Sequence, residues 1–194
     1  MRVYGLCLFA LLGMSSCGDG ALFPAPSESL HLANIQIGHV GVVTSGMVQG
    51  AYSDAVSPED LASHLRGAIT SKLAGLDGAR PYNIGVKVTS YMLANPAVPT
   101  VSSPKSALIM SVTVWDDSRG QKPVAPPATV IAVDGLYGTS VFITKQQGDK
   151  DHRLAALSAK AALEIERYLT KNIDIFAPKR DGHAPAVAVL APDA

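Results

Sequence analysis

Hydrophobic and polar positions alternate along three stretches of this chain and recur at helical spacing along two others. Ile35 and Ile37 alternate with Gln36, then the apolar phase moves to Val40 and Val42, which predicts a first strand over 34–44 with a β-bulge at Gly38-His39. In 83–93, Ile84, Val86, Val88 and Met92 share one face against Lys87, Thr89 and Tyr91. In 107–116, Leu108, Met110, Val112 and Val114 oppose Ser111, Thr113 and Trp115. Both read as half-buried strands. A short strand over 128–133 leads through Asp134-Gly135, a hairpin signal, into 137–144.

The helices carry their own punctuation. Ser57-Pro58-Glu59-Asp60 opens the first, with Ser57 as N-cap, Pro58 where no N–H is needed, and two acids at the positive end. Leu61, Leu65, Ala68/Ile69 and Leu73 form its apolar stripe, and Gly75 and Gly78 end it. The second spans about 150–172. Leu154, Leu157, Ala161, Ile165 and Tyr168/Leu169 face inward, and Lys160, Glu164, Arg167 and Lys171 form the opposite charged stripe. The order β-α-β-β-β-β-α predicts an α+β two-layer sandwich: a mainly antiparallel sheet of about four to five strands with two amphipathic helices on one face. Proline-rich connections at 94–106 and 118–128 separate the strands, and no internal repeat is visible.

The first residues change the picture. Arg2 and the apolar run Val3–Gly13 resemble a signal peptide, since eleven residues at about 1.5 Å each reach about half of a hydrocarbon core. Met14-Ser15-Ser16-Cys17 follows and resembles the bacterial lipobox, in which the cysteine sulfur accepts diacylglycerol and then becomes the new N-terminus. The expected organisation is a signal peptide over 1–16, a lipid-anchored tether over 17–33, one α+β domain over 34–172, and a Pro/Ala-rich tail over 173–194. Cys7 leaves with the signal peptide and Cys17 carries the lipid, so no thiol remains for a disulfide, a nucleophile or a metal. Gly18 follows the cysteine and Asp19 stands one place later, which favours the outer membrane over inner-membrane retention.

Composition excludes several classes. The chain is 47% hydrophobic and 16% charged, with 16 basic against 16 acidic residues, so it is not globally disordered and has no electrostatic footprint for nucleic acid. His31, His39, His64, His152 and His183 stand far apart in sequence and predict no metal site. Asp116-Asp117 and Asp134 lie in turn contexts that favour aspartate for local hydrogen bonding. Ser102-Ser103-Pro104-Lys105 contains a Ser-x-x-Lys string, but Pro104 interrupts the helix turn that this chemistry needs. No phosphate or dinucleotide loop occurs. No catalytic residue, cofactor or metal ligand is therefore assigned. Trp115 and Tyr91 are the aromatic candidates for a contact surface.

The lipobox and tether, the Ser-capped helix SPEDLASHLRGAITSKL, a strand with Val86, Val88 and Tyr91, a strand ending in Asp116 and Gly120, and a final amphipathic helix come in one order. Together they resemble the small envelope lipoproteins of Gram-negative bacteria, among them the auxiliary lipoproteins of lipid-trafficking ABC transporters and families of unknown function. The resemblance implies a non-enzymatic protein, anchored to a membrane through lipid on Cys17, that docks onto another envelope component as an adaptor or assembly factor. An envelope hydrolase built on Asp116, Asp117 or Ser102 is the alternative. A subunit of an oligomeric secretion complex is a further one, although each strand of 128–144 is short for a bilayer.

Overall fold

A computed structural model of the chain describes residues 30–31, 33–95, 105–120, 122–133 and 149–176. The signal peptide, Cys17, most of the tether, the expected strand 137–144, Ser102, Asp134, His183 and the tail beyond Phe176 lie outside the described residues. The elements are β1 (Ile35–Val43), β2 (Val48–Gln49), α1 (Pro58–Lys72), β3 (Arg80–Met92), β4 (Ala107–Asp116), β5 (Lys122–Pro123), β6 (Ala128–Val133), α2 (Lys150–Lys171) and α3 (Ile173–Phe176).

The fold is α+β, with helices on one face of an open six-stranded sheet. Across the sheet β1 pairs with β3, β3 with β4, and β4 with both β6 and β5, while the short β2 continues beside β3. The β3–β4, β4–β5 and β4–β6 pairs are antiparallel, but β1 and β2 run parallel to β3. The sheet is thus mixed, a point that periodicity does not reveal. A helical crossover such as α1 is what a parallel β1–β3 pair requires.

The bulge in β1 falls between Ile37 and His39, as the shift in apolar phase predicts. A second shift between Val88 and Ser90 in β3 was not legible, because Thr89 and Ser90 interrupt the apolar alternation without a glycine. It reverses the end of the strand. Tyr91, expected outside, is buried and its hydroxyl accepts from the Val56 N–H at 3.2 Å, while Met92, expected inside, is half-buried.

The core lies between helices and sheet. Leu61, Leu65, Ile69 and Leu73 from α1 meet Leu154, Leu157, Ala161, Ile165 and Leu169 from α2 over Ile84, Val86, Val88, Leu108, Met110 and Val112. Ser57 caps α1 by accepting from the Asp60 N–H at 3.0 Å, and Asp149 caps α2 by accepting from the His152 N–H at 3.0 Å. Lys160 and Arg167 both pair with Glu164 on the exposed stripe of α2, at 3.2 and 2.7 Å. Glu166 is buried between the helices and pairs with Lys72 at 3.0 Å.

The folded part extends past both expected boundaries. Leu30, assigned to the tether, is buried, and α3 places Phe176 in the core, where Tyr82 Oη donates to its carbonyl and Tyr168 meets it edge to face at 5.8 Å. Isolated apolar residues outside a periodic run carry no signal of their burial, which is why both ends were read short.

Candidate functional site

No described helix covers the second face of the sheet. Strand alternation sends Gly41 and Val43 of β1, Asn83, Gly85 and Lys87 of β3, Thr113 and Trp115 of β4, and Ile131 of β6 to that side. Val43 at the end of β1, and Ile109 and Ile131 within β4 and β6, are exposed there.

Gly41 and Gly85 stand directly opposite one another across the β1–β3 pair. Two facing positions without side chains leave a hollow of about 510 Å³, walled by His39, Val43, Asn83 and Trp115. Gly85 is needed for this arrangement: a Cβ there would stand 2.4 Å from the Trp115 ring. The indole therefore lies over the Gly85 backbone. A Cβ on Gly41 would meet nothing within 4 Å, so that half of the hollow is open. The volume and the mix of one aromatic wall with two polar side chains fall in the range of ligand and anchor pockets.

A second cleft of about 390 Å³ opens on the helix side of the β1 edge, between the bulge and the carboxyl-terminal half of α1. Gln36, His39, Arg66, Thr70 and Asp77 supply its polar groups, and Ile37, Val40, Leu73 and Leu76 its apolar ones. The bulge is what turns His39 to the strand edge, where it lines both cavities.

The residues singled out from sequence do not converge among the described residues. Asp116 is buried at the end of β4 and accepts from the Ser118 N–H at 3.0 Å and from the Ser118 hydroxyl at 2.5 Å, a local turn role. Asp117 is exposed in the 3-10 turn that follows. Among the described residues no group of three or more His, Cys, Asp or Glu side chains is placed to hold a metal ion, and no helix is long and apolar enough to cross a membrane. Trp115 keeps its expected place on the outer face. Arg66, Asp77 and the glycine pair were missed. The glycines were readable as gaps in two alternating strands, but their facing register was not.

No protein-family model and no curated protein matches the chain. Among solved structures it is similar to a minor lipoprotein from Acinetobacter baumannii, at 15% identity over 70% of this chain and 92% of that one, with a TM-score of 0.32. It is similar also to PelC from Paraburkholderia phytofirmans, described as a dodecamer, at 14% identity over 68% and 86% and a TM-score of 0.35. A third is the Xanthomonas campestris protein XCC0632, at 11% identity over 76% and 98% and a TM-score of 0.32. No role passes from these proteins to this chain.

Proposed function

We propose that this chain is a lipid-anchored protein of the bacterial envelope, held through acylated Cys17 in the periplasmic leaflet of the outer membrane, that binds another envelope protein without catalysing a reaction. The anchor reading rests on Met14-Ser15-Ser16-Cys17. Two or three acyl chains, each buried CH₂ contributing about 0.8 kcal/mol, hold where one is marginal.

The observation that carries the binding role is the uncovered sheet face. Exposed Val43 walls a hollow at the Gly41–Gly85 pair beside Trp115, and exposed Ile109 and Ile131, paired across β4 and β6, lie farther along the same face. Exposed apolar residues and a preformed pocket on one uncovered face favour a partner, because covering them removes apolar surface from water with little ordering of side chains. The test combines two measurements on protein from its own membranes. Intact mass reports whether Cys17 is the acylated N-terminus. Crosslinking from the open face, with a photoreactive residue at Ile131, reports the partner. A reproducible near-stoichiometric product supports the adaptor reading, and a monodisperse, product-free protein counts against it.

A further inference from the structure

The cleft between the β1 bulge and α1 holds unlike charges that do not meet. Arg66 and Asp77 both line it, and among the described residues neither side chain makes an ion pair or hydrogen bond. Lys72, the basic residue of the last turn of α1, is committed to Glu166 and is not among the lining residues. The carboxyl end of α1 therefore adds its partial negative charge to that of Asp77 at one end of the cleft. Arg66 lines the same cleft with His39 and Thr70 as further donors, while Gln36 is the backbone bridge partner of Asp77. Opposite charges left apart in one cavity of about 390 Å³ leave room for a molecule that carries both signs.

We infer that this cleft binds a small zwitterion with an acidic group and a primary amine a few ångströms apart, of the phosphoethanolamine type. The planar guanidinium of Arg66 suits a phosphate, with the His39 imidazole beside it. A primary ammonium can donate to the Asp77 carboxylate, in the field of the carboxyl end of α1. The same group occurs free and as a phospholipid headgroup. The path of the chain brings the headgroup within reach: His31 lies 3.9 Å from where a Cβ on Gly75 would stand, at the rim of the cleft. The thirteen residues from Cys17 to Leu30 span at most about 45 Å. A surface held that close acts as a ligand at high effective concentration. Only this lipid source rests on acylation of Cys17; the chemistry of the cleft does not.

The test begins with calorimetric titration of the full chain in detergent with free phosphoethanolamine, alongside phosphocholine and glycerol phosphate. Phosphoethanolamine should saturate one site. Phosphocholine, whose quaternary amine donates no hydrogen bond, and glycerol phosphate, which lacks the amine, should each bind at least tenfold more weakly. Arg66→Gln and Asp77→Asn, both at exposed positions, should each weaken phosphoethanolamine about tenfold with the circular dichroism unchanged. No saturable binding, equal binding of phosphocholine, or two variants that bind like the parent would overturn the inference.

Hydrogen exchange on the acylated protein in lipid nanodiscs then separates the sources. Protection of residues 36–40 and 66–77 in phosphatidylethanolamine but not in phosphatidylcholine assigns the lipid headgroup. Retained binding of the free compound without such protection assigns the soluble one. A protein that proves unacylated by mass removes the lipid source and leaves the titration to decide the cleft.

Discussion

The two faces of the sheet are built from the same strands and obey opposite rules. On the helix side Ile84, Val86, Val88, Met110 and Val112 are all at most 1% exposed, and each touches side chains from α1 or α2 or from neighbouring strands in one cluster. On the other side Ile131 is 55% exposed and two strand positions are glycine. Removing side chains from the first face costs stability. The second face has already given some up, at Gly85, where the indole takes the place of a side chain, and at Gly41, where a β-branched residue would suit the strand better. Strand propensity and burial explain the first face fully. On the second, Gly85 is explained by the indole that lies over it, and Gly41 is left with open space in front of it.

The largest expected effect lies on the covered side. Leu65→Ala or Ile165→Ala, at fully buried positions, should lose about 2–5 kcal/mol, read from the denaturant midpoint. Gly85→Ala comes next: its methyl would enter the Trp115 ring, so the indole must swing away, at about 1–3 kcal/mol. Trp115 is the only tryptophan, so its emission should move to longer wavelength in the same variant. Gly41→Leu has free space to fill and should leave stability within about 0.5 kcal/mol, as should Ile131→Ser. Both should nevertheless weaken partner crosslinking. If Gly41→Leu or Ile131→Ser destabilised the fold as strongly as Leu65→Ala, the contrast between the faces would fail.

The smallest effect concerns alkaline pH. Burial pushes the Tyr168 phenol above its ordinary value of 10.0, so the folded state keeps the proton longer than the unfolded one. That contribution is fully present below about pH 10 and is lost as pH rises through the folded value. Tyr168→Phe should remove this alkaline slope from a series of denaturant melts, leaving stability at neutral pH little changed.

Much of the covered face was legible in the sequence, because burial on one side writes a period of 2 into strands and 3.6 into helices. Leu61, Leu65 and Ile69 in α1, and Leu108, Met110, Val112 and Val114 in β4, lie where that period puts them. The Gly38 bulge was visible because a glycine sits at the phase break. The break at Thr89 has no such residue, so Tyr91 and Met92 were exchanged. Pairing direction leaves no mark on alternation; the signal for the parallel β1–β3 pair lay instead in the strand–helix–strand order, which the expectation of a mainly antiparallel sheet did not use. The candidate sites were hardly legible at all. Facing glycines, and Arg66 with Asp77 in one cleft, are products of register and of how α1 lies on β1, which the chain's linear order does not encode locally.

The parallel pairing of β1 with β3 and the place of α2 bear on the timing of folding. Helix α2, near the end of the described chain, supplies Leu154, Leu157, Ala161, Ile165 and Leu169 to the same core as Ile35 at its start. A chain emerging amino end first can form α1 early, yet its apolar stripe has no lid until α2 arrives. Contacts so distant in sequence slow folding, and until α2 packs, the helix side of the sheet has only α1 to cover it. The side that waits longest for its cover is therefore the one that ends most deeply buried.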